Sequence, residues 1–378
     1  AGNLVVRCDS STALNPGDRA VVRGKIYPFT ARHGGYGRLM TRRGYVGTLY
    51  LNRSSLLLRD TLHRELSPKH LSLFLHERAV ARLDRLALAP DEQALCNAMT
   101  AGDRRSLSPA LRAAYSRSGT SHLLAVSGLH VGIVFLLANL LLWWLPLFRH
   151  GHILRNIAVI LLIWLYAATT GFPPSVVRAA LMFSVLQFAL ASSSEYVGMN
   201  TLAGVAFVML LFHPDYLFDI SFQLSFIAVA GIIAWGLPLC RLLRTRRKSI
   251  DMLTATLAIG FSASAATAPL ISHTFGQISV VGLALNPVVI LLSYVVVGSC
   301  TLWLVIPGTA LAPLFSVVAG FAARAQNELI RAAAALPAAA LDIRLTTTQC
   351  WSVYGLFIFA TLLLWSAERK KSVSSLPE

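Results

Sequence analysis

The first segment long and apolar enough to cross a membrane is LLAVSGLHVGIVFLLANLLLWWLPL, residues 123–147. It begins inside a stretch with two polar clusters, SGTSHLLAVSGLHVG, residues 118–132. Residues before this stretch read as water-soluble, and residues after it read mostly as membrane as far as Trp365. Because polar groups are costly in lipid, we expect the polar side chains of this stretch to face protein or water.

The composition places the chain among integral membrane proteins. Hydrophobic residues make up 55% of the 378 residues, charged residues make up 13%, and the mean hydropathy is +0.62. Such a chain is too apolar for one soluble core. Residues 1–117 carry 19 Lys and Arg against 9 Asp and Glu, a net charge of +10 out of a total of +16. A basic soluble portion on a membrane body predicts a polyanionic partner, either nucleic acid or anionic membrane lipid, although Arg-rich surfaces also occur without one.

The cysteines show no pattern that indicates a cofactor. They are widely scattered and contain no CxxC pair, so neither a zinc site nor a redox motif is predicted. We therefore predict no metal and no cofactor. The five cysteines are Cys8, Cys96, Cys240, Cys300 and Cys350.

Residues 1–59 carry the signals of a small, partial OB-like β domain. The β-rich runs VVRC, RAVVRGKIY and YVGTLYL are separated by the turn sequences NPGD and HGGYG. Basic residues alternate with aromatic residues, as in single-strand nucleic-acid platforms, where cations follow the phosphates and rings stack on bases. The alternative is that most of these rings are core residues of the barrel. The candidate DNA-binding residues are Arg23, Lys25, Arg38, Arg42, Arg43 and Tyr45.

Residues 60–117 read as a membrane-proximal helical region. Pro90 followed by two acidic residues, and Ser108 followed by Pro109, are typical helix starts. We expect these helices to lie beside the membrane surface and to dock the β domain over the membrane domain. A plain linker of packed helices is equally compatible with the pattern.

Residues 118–368 are predicted to form a polytopic transmembrane domain, and residues 369–378 a cytoplasmic basic tail. A further segment, residues 311–336, is amphipathic, and it either lies in the interface or crosses with its polar stripe facing a cavity. Basic residues at 149–155, 241–248 and 369–371 should be cytoplasmic, and all three fall on that side if the first span enters from outside and residues 311–336 also cross. The β domain is then outside the inner membrane. The predicted spans are 123–147, 153–170, 176–192, 200–212, 222–239, 253–271, 280–305 and 351–365.

The stretch SGTSHLLAVSGLHVG closely resembles the signature of the ComEC family, the membrane channel proteins of bacterial natural transformation. Upstream, LNPGDRAVVRGKI and GGYGRLMTRRGYVGTLYL are similar to the later part of that family's OB-type domain. The resemblance therefore covers nearly the whole chain. Further family-like blocks are GFPPSVVRAALMF at 171–183, HPDYLFDISFQLSFIAVAGI at 213–232 and ATAPLISHTFGQISVVGLALNPVV at 266–289.

The resemblance implies a multi-pass channel of the bacterial inner membrane that passes single-stranded DNA into the cytoplasm while the other strand is degraded. Many members also carry a metallo-β-lactamase-like nuclease domain with an HxHxDH motif, which this sequence lacks, so we expect a separate nuclease or a missing extension. The family's upstream helices are also not present, so we expect a fragment or a chain cut from its anchor. No phosphate-loop motif is present, so directional uptake would need a cytoplasmic helicase-like ATPase. A homo-oligomer is compatible with this reading.

Two sets of residues are candidates for function. A DNA conduit needs polar or cationic walls, because a phosphate chain cannot cross hydrocarbon. The competing interpretation is that the residues of the second set form buried ion pairs or cap helix ends. The signature set is Ser118, Gly119, His122, Ser127, Gly128 and His130, and the pore-lining set is Arg178, Asp219, Gln223, Asn286, Arg324 and Arg331.

Two other function classes remain open. Ser118 and His122 at i, i+4, and Ser127 and His130 at i, i+3, would each share one face of a helix, as an intramembrane hydrolase would require. No orienting acid lies nearby, so we favour a channel over an enzyme and expect these histidines to hold its architecture. A transporter of a small molecule or lipid also fits the number of spans, but it explains the basic β domain less well.

Overall fold

The computed structural model describes residues 3–8, 19–29, 37, 40–41, 44–60, 68–192, 198–279, 281–306, 311–336 and 340–374. The amino-terminal strands are β1 (Asn3–Cys8), β2 (Arg19–Val22), β3 (Ile26–Pro28), β4 (Tyr45–Leu51) and β5 (Leu56–Asp60). Strand β4 lies between β1, which is parallel to it, and β3, which is antiparallel. Strands β2 and β5 form a separate antiparallel pair. This confirms a small β region at the start of the chain.

The predicted strand run at residues 19–27 is two strands that belong to different sheets. The chain leaves the β2–β5 pair at Arg23, whose backbone N–H donates to the Ser55 carbonyl at 2.8 Å, and joins β4 as β3. Gly47 on β4 allows this close approach, since a Cβ there would lie 2.5 Å from the Tyr27 carbonyl oxygen. Pairing with segments distant in sequence therefore divides the β-rich run at residues 19–27, which looked continuous, into two strands.

Three helices follow: α1 (Pro68–Leu83), α2 (Pro90–Thr100) and α3 (Pro109–Arg117). Both predicted helix starts are confirmed. Pro90 is the first residue of α2, with Asp91 and Glu92 in the first turn, where the helix dipole favours negative charge. Ser108 caps α3, because its Oγ accepts a hydrogen bond from the Leu111 N–H at 3.2 Å.

The rest of the described chain is almost entirely helical. A two-stranded pair, β6 (Ile278–Ser279) and β7 (Ala340–Leu341), joins the segment before Val281 to the segment before Thr347. A π-helical turn, Ile232–Gly236, lies between two of the helices, two residues before Pro238. The helices are α4 (Gly128–Leu141), α5 (Gly151–Thr169), α6 (Pro174–Ser192), α7 (Gly198–Phe212), α8 (Ile220–Gly231), α9 (Leu237–Leu242), α10 (Lys248–Phe275), α11 (Val281–Val305), α12 (Ala312–Ala334) and α13 (Thr347–Ser374).

Within the described ranges, five segments are long and apolar enough to cross a membrane. Two further apolar helices, Pro174–Leu190 and Gly198–Phe212, correspond to predicted spans and are shorter than a full crossing. The predicted span 351–365 lies inside α13, which is not one of the five. The five are Gly128–Leu147, Gly151–Thr169, Ile220–Leu242, Ile250–Phe275 and Ala284–Val305.

One hydrophobic core joins α2 and α3 to α11 and α12. Leu95 and Met99 of α2, Tyr115 of α3, Val296 of α11 and Ile330 of α12 are all fully buried within it. The core continues across residue 117, where the sequence suggested a boundary between a surface collar and the bundle. Helices α2 and α3 are therefore packed into the bundle, because their apolar faces find their partners on α11 and α12.

Candidate functional site

The first half of the signature stretch forms a tight connection between α3 and α11. Ser118 and Thr120 are fully buried, and their hydroxyl oxygens lie 2.7 Å apart, while Ser118 Oγ also donates to the Tyr115 carbonyl at 3.2 Å. Gly119 has a φ of +75°, and a Cβ there would lie 2.4 Å from Ser279 Cβ. Only glycine fits both the backbone and the space.

The second half caps α4. Ser127 precedes the helix, and its backbone N–H donates to His130 Nδ1 at 2.9 Å. A neutral imidazole that accepts at Nδ1 carries its proton on Nε2. His130 is fully buried, and its Nε2 has no hydrogen-bond partner in the described part of the chain. The imidazole thus caps the start of α4, while its Nε2–H makes no hydrogen bond to a described residue.

Two predictions about this stretch are wrong. Helix α4 begins at Gly128, not at Leu123, because Ser121–Leu124 is a short 3-10 turn and Ser127 is extended. Ser118 therefore ends α3 while His122 lies in a separate turn, so they do not share a helical face. The Ser127 and His130 side chains do approach, at 3.4 Å, but they do so as a helix cap. Ser118 and His122 therefore do not have the shared helical face on which the hydrolase hypothesis depended.

The turn between α5 and α6 meets the start of α4. Gly171 and Phe172 both have positive φ, +84° and +51°, which is uncommon for a bulky aromatic residue. The turn places Ser175 beside the signature stretch, where its Oγ donates to the Val126 carbonyl at 2.9 Å. Two helix amino termini, those of α4 and α6, therefore lie side by side.

Arg178 lies in the second turn of α6 and is buried, with 3% of its surface exposed. Its Nη2 donates to the Ser175 carbonyl at 3.3 Å, and its Cζ lies 5.5 Å from the centre of the Phe226 ring of α8. Its Nη1 is buried without a partner, and no carboxylate pairs with it among the residues that the structure describes. An unpaired buried charge is strongly destabilising in a folded chain.

A pocket of about 510 Å³ opens beside this junction. Gly102 on its wall touches both partners of the junction, since a Cβ there would lie 3.3 Å from Val126 Cγ2 and 3.7 Å from the Thr170 carbonyl oxygen. Three arginines lie among the lining residues and were missed by sequence reasoning, although the run GDRR between two helices was a usable signal. The lining residues are Leu73, His76, Glu77, Gly102, Asp103, Arg104, Arg105 and Arg112.

The charges in this pocket do not cancel. The Arg105 side chain donates to both oxygens of Asp103, each at 2.9 Å, and this bidentate pair holds the pKa of Asp103 below its usual value. Arg112 donates to the Arg104 carbonyl, and the pocket offers Glu77 as the remaining carboxylate. Two guanidinium groups therefore face one carboxylate, and the pocket is cationic.

Three of the candidate pore residues are distributed over two other helices. The Asp219 carboxylate caps α8, since it accepts from the N–H groups of Ser221 and Phe222 at 2.8 and 3.2 Å. Gln223 in the same turn donates to the Leu217 carbonyl at 2.8 Å. Asn286, before the proline within α11, keeps a buried Oδ1 without a partner. Their role in a pore stays a prediction.

Arg324 and Arg331 lie on α12 and pair with the acidic first turn of α2. Arg324 Nε donates to Glu92 at 2.6 Å, and Arg331 pairs with both Asp91 and Glu328. Pore lining by these two arginines stays a prediction, while their ion pairs join the polar stripe of α12 to a neighbouring helix.

The candidate DNA-binding residues of the β region are only partly described. Arg23 and Lys25 are exposed and Tyr45 is half-buried, whereas Arg38, Arg42 and Arg43 lie outside the described residues. Lys25 Nζ lies 5.9 Å from the centre of the Tyr27 ring, and Arg7 lies at the same distance from that of Tyr50. Both rings are about half exposed, at 49% and 55%, so they are not core residues. The structure adds Arg7 to the set.

Comparison with known proteins assigns the family. A family model described as competence protein matches residues 99–370, most of the chain. The chain belongs to the competence protein family. It is 33% identical to ComE operon protein 3 of Bacillus subtilis over 204 residues, 53% of this chain and 24% of that protein. It is 29% identical to an uncharacterized protein of Aquifex aeolicus over 201 residues, 53% of this chain and 45% of that protein. No solved structure matches.

The competence family match begins at Met99, inside α2, and therefore includes the three arginines of the pocket, the signature stretch and Arg178, while the pocket residues on α1 precede it. The matched segments span less than half the length of each relative. In the part of this competence family member that the structure describes, no group of three or more His, Cys, Asp or Glu residues could hold a metal ion.

Proposed function

We propose that the protein is the inner-membrane channel that passes single-stranded DNA into the cytoplasm during natural transformation. The observation that carries this proposal is the cationic pocket, which opens where the amino termini of α4 and α6 meet. Membership of the competence family supports DNA as the polyanion. The proposed partners are a helicase-like ATPase and a separate nuclease, neither of which any described residue identifies.

The distribution of charge supports an extracytoplasmic position for the pocket. The opposite end of α4 leads to Arg149 in the connection to α5, and Arg155 lies in the first turns of α5. Helix α8 contacts Arg178 through Phe226, and the chain leads from there through α9 to the basic residues 241–248. Positive loops remain on the cytoplasmic side, so the pocket end faces outward. A polyanion would then meet guanidinium groups before it meets lipid.

Passage through the bundle is proposed to start at this pocket. A guanidinium binds phosphate oxygens through parallel N–H groups, and several such contacts give affinity without sequence preference. The β region, with its exposed Tyr27 and Tyr50, would add stacking for unpaired bases. The two elements together favour a single strand over a duplex, whose bases are not available to the rings.

The test uses labelled DNA in a transformable host that carries the full-length protein. We expect Arg104→Ala with Arg112→Ala to reduce cytoplasmic label while label at the cell surface persists. Arg85→Ala, an exposed arginine outside the pocket, is the control for loss of charge and should leave uptake unchanged. Normal cytoplasmic label in a strain without the gene would overturn the channel itself.

A further inference from the structure

The meeting of α4 and α6 creates a concentrated positive potential inside the bundle. Both helices are long, 14 and 19 residues, and each carries partial positive charge at its amino terminus. Ser175 Oγ donates to the Val126 carbonyl at 2.9 Å, and a Cβ on Gly128 would lie 3.7 Å from Ala179 Cβ. The two positive ends are therefore held together by direct contacts.

Arg178 adds a full charge at the same place. Its guanidinium folds back along α6 to the carbonyl of Ser175 in the first turn, and its other terminal nitrogen, Nη1, is buried without a partner. Among the residues that the structure describes, no carboxylate pairs with this guanidinium. Two helix amino termini and a guanidinium group that have no counter-charge among the described residues favour the binding of an anion.

We propose that Arg178 and the amino termini of α4 and α6 form a binding site for one phosphodiester group, which Phe226 covers in this structure. The site rests on the proposed function, and it extends it by naming the group that the bundle holds below the pocket. The Phe226 ring lies over the guanidinium at a distance of 5.5 Å, and Arg178 is only 3% exposed, so a ligand reaches Nη1 only when α8 moves away from α6.

Arginine is better suited to this task than lysine. The guanidinium stays charged when buried, and one edge can hold the Ser175 carbonyl while the free edge binds phosphate oxygens. A lysine would keep the charge and lose the fork. The distinction separates a phosphate-binding role from a role in packing against Phe226, which either long side chain can fill.

The binding test uses the full-length protein in discs of zwitterionic phosphatidylcholine and a fluorescent oligothymidine. Loss of one phosphate contact should reduce the slope of log affinity against log salt by about 0.7. We expect this reduction for Arg178→Gln, whereas Arg178→Lys keeps the charge and therefore the slope but should bind more weakly than the wild type, because the fork of parallel N–H groups is lost. Arg85→Gln should match the wild type. Unchanged affinity and slope in folded Arg178→Gln would overturn the site.

Two further experiments identify the source of the phosphodiester and test the site with a variant that keeps Arg178. Addition of phosphatidylglycerol that competes with oligothymidine only when Arg178 is present assigns the site to a lipid headgroup and removes it from the DNA path. Phe226→Ala keeps Arg178 and removes the cover, so oligothymidine should associate faster, and an unchanged rate would contradict the cover. If DNA uptake proves independent of the gene, the channel fails while phosphodiester binding at Arg178 can still be measured.

Discussion

Tyr115 of α3 donates its hydroxyl hydrogen bond to Asn327 Oδ1 of α12 at 3.1 Å, across 212 residues of sequence. The same hydroxyl accepts from Gln326 Nε2 at 3.2 Å, and Asn327 Nδ2 donates to the Asp91 carbonyl at 3.1 Å. All three side chains are essentially fully buried. Helix α12 is thus joined to α2 and α3 by hydrogen bonds inside an otherwise apolar core.

Removal of the Tyr115 hydroxyl should destabilise this connection. Tyr115→Phe leaves the buried Asn327 Oδ1 without its donor and removes the hydroxyl acceptor of Gln326 Nε2, which lowers the free energy of unfolding by about 1–3 kcal/mol. Thermal unfolding in detergent, followed by tryptophan fluorescence, measures the change. Tyr294→Phe, at a tyrosine of α11 that is 38% exposed, is the matched control and should change stability little. Equal unfolding temperatures for both variants would show that the hydroxyl is not needed.

Gly119 should not tolerate any side chain. Its φ of +75° is unfavourable for other residues, and a Cβ would clash with Ser279 at 2.4 Å. We expect Gly119→Ala to yield little folded protein on size-exclusion chromatography. Gly298→Ala is the control, because a Cβ there meets no atom within 4 Å. Wild-type yield of Gly119→Ala would mean that the approach to Ser279 is not required.

The two signature histidines should behave differently. His130 is fully buried and accepts the Ser127 N–H, so His130→Ala removes the cap of α4 and leaves a cavity. His122 lies in a 3-10 turn and is exposed, so His122→Ala should preserve folding. Folded yield and DNA uptake should both fall for His130→Ala. Equal effects of the two substitutions would contradict this difference in burial.

Arg105 should stabilise the protein near neutral pH and lose this effect in acid. Its side chain lowers the pKa of Asp103 from the usual 3.8, so the folded state favours the ionised carboxylate. The stabilisation is complete well above pH 3.8 and is lost as the pH falls through the lower folded pKa. Arg105→Gln should therefore lower the unfolding temperature near neutral pH and change it less below the folded pKa. A pH-independent difference would exclude the ion pair as its cause.

The exposed basic residues of the β region should contact phosphates. If Arg23 and Lys25 each contact one phosphate, replacing both with alanine should reduce the salt slope of oligothymidine binding by about 1.4. Arg246→Ala with Lys248→Ala makes the same charge change at the start of α10, outside the β region, and should leave the slope unchanged. Equal slopes for the two double variants would remove the β region from the DNA path.

Local sequence signals predicted the helices and their starts well. The apolar run at 123–147 identified the α4 span, and Pro90 and Ser108 identified the first residues of α2 and α3, because backbone capping depends on neighbours in sequence. The family was also visible in the signature blocks. By contrast, the prediction that Ser118 and His122 share a helical face was wrong, since Ser118 is the C-cap of α3 and the positive φ of Gly119 breaks the helix between them.

The sequence by itself determined a membrane bundle of the competence family, because hydrophobicity, span length and family motifs are all properties of local segments. Only the tertiary structure decided which polar groups have partners. Arg178, Arg324 and Arg331 look alike as arginines in apolar surroundings, yet α12 lies against the acids of α2 while α6 lies against Phe226 of α8. Whether a charged side chain has a counter-charge depends on how helices that are far apart in sequence pack together. The local sequence pattern therefore does not predict it.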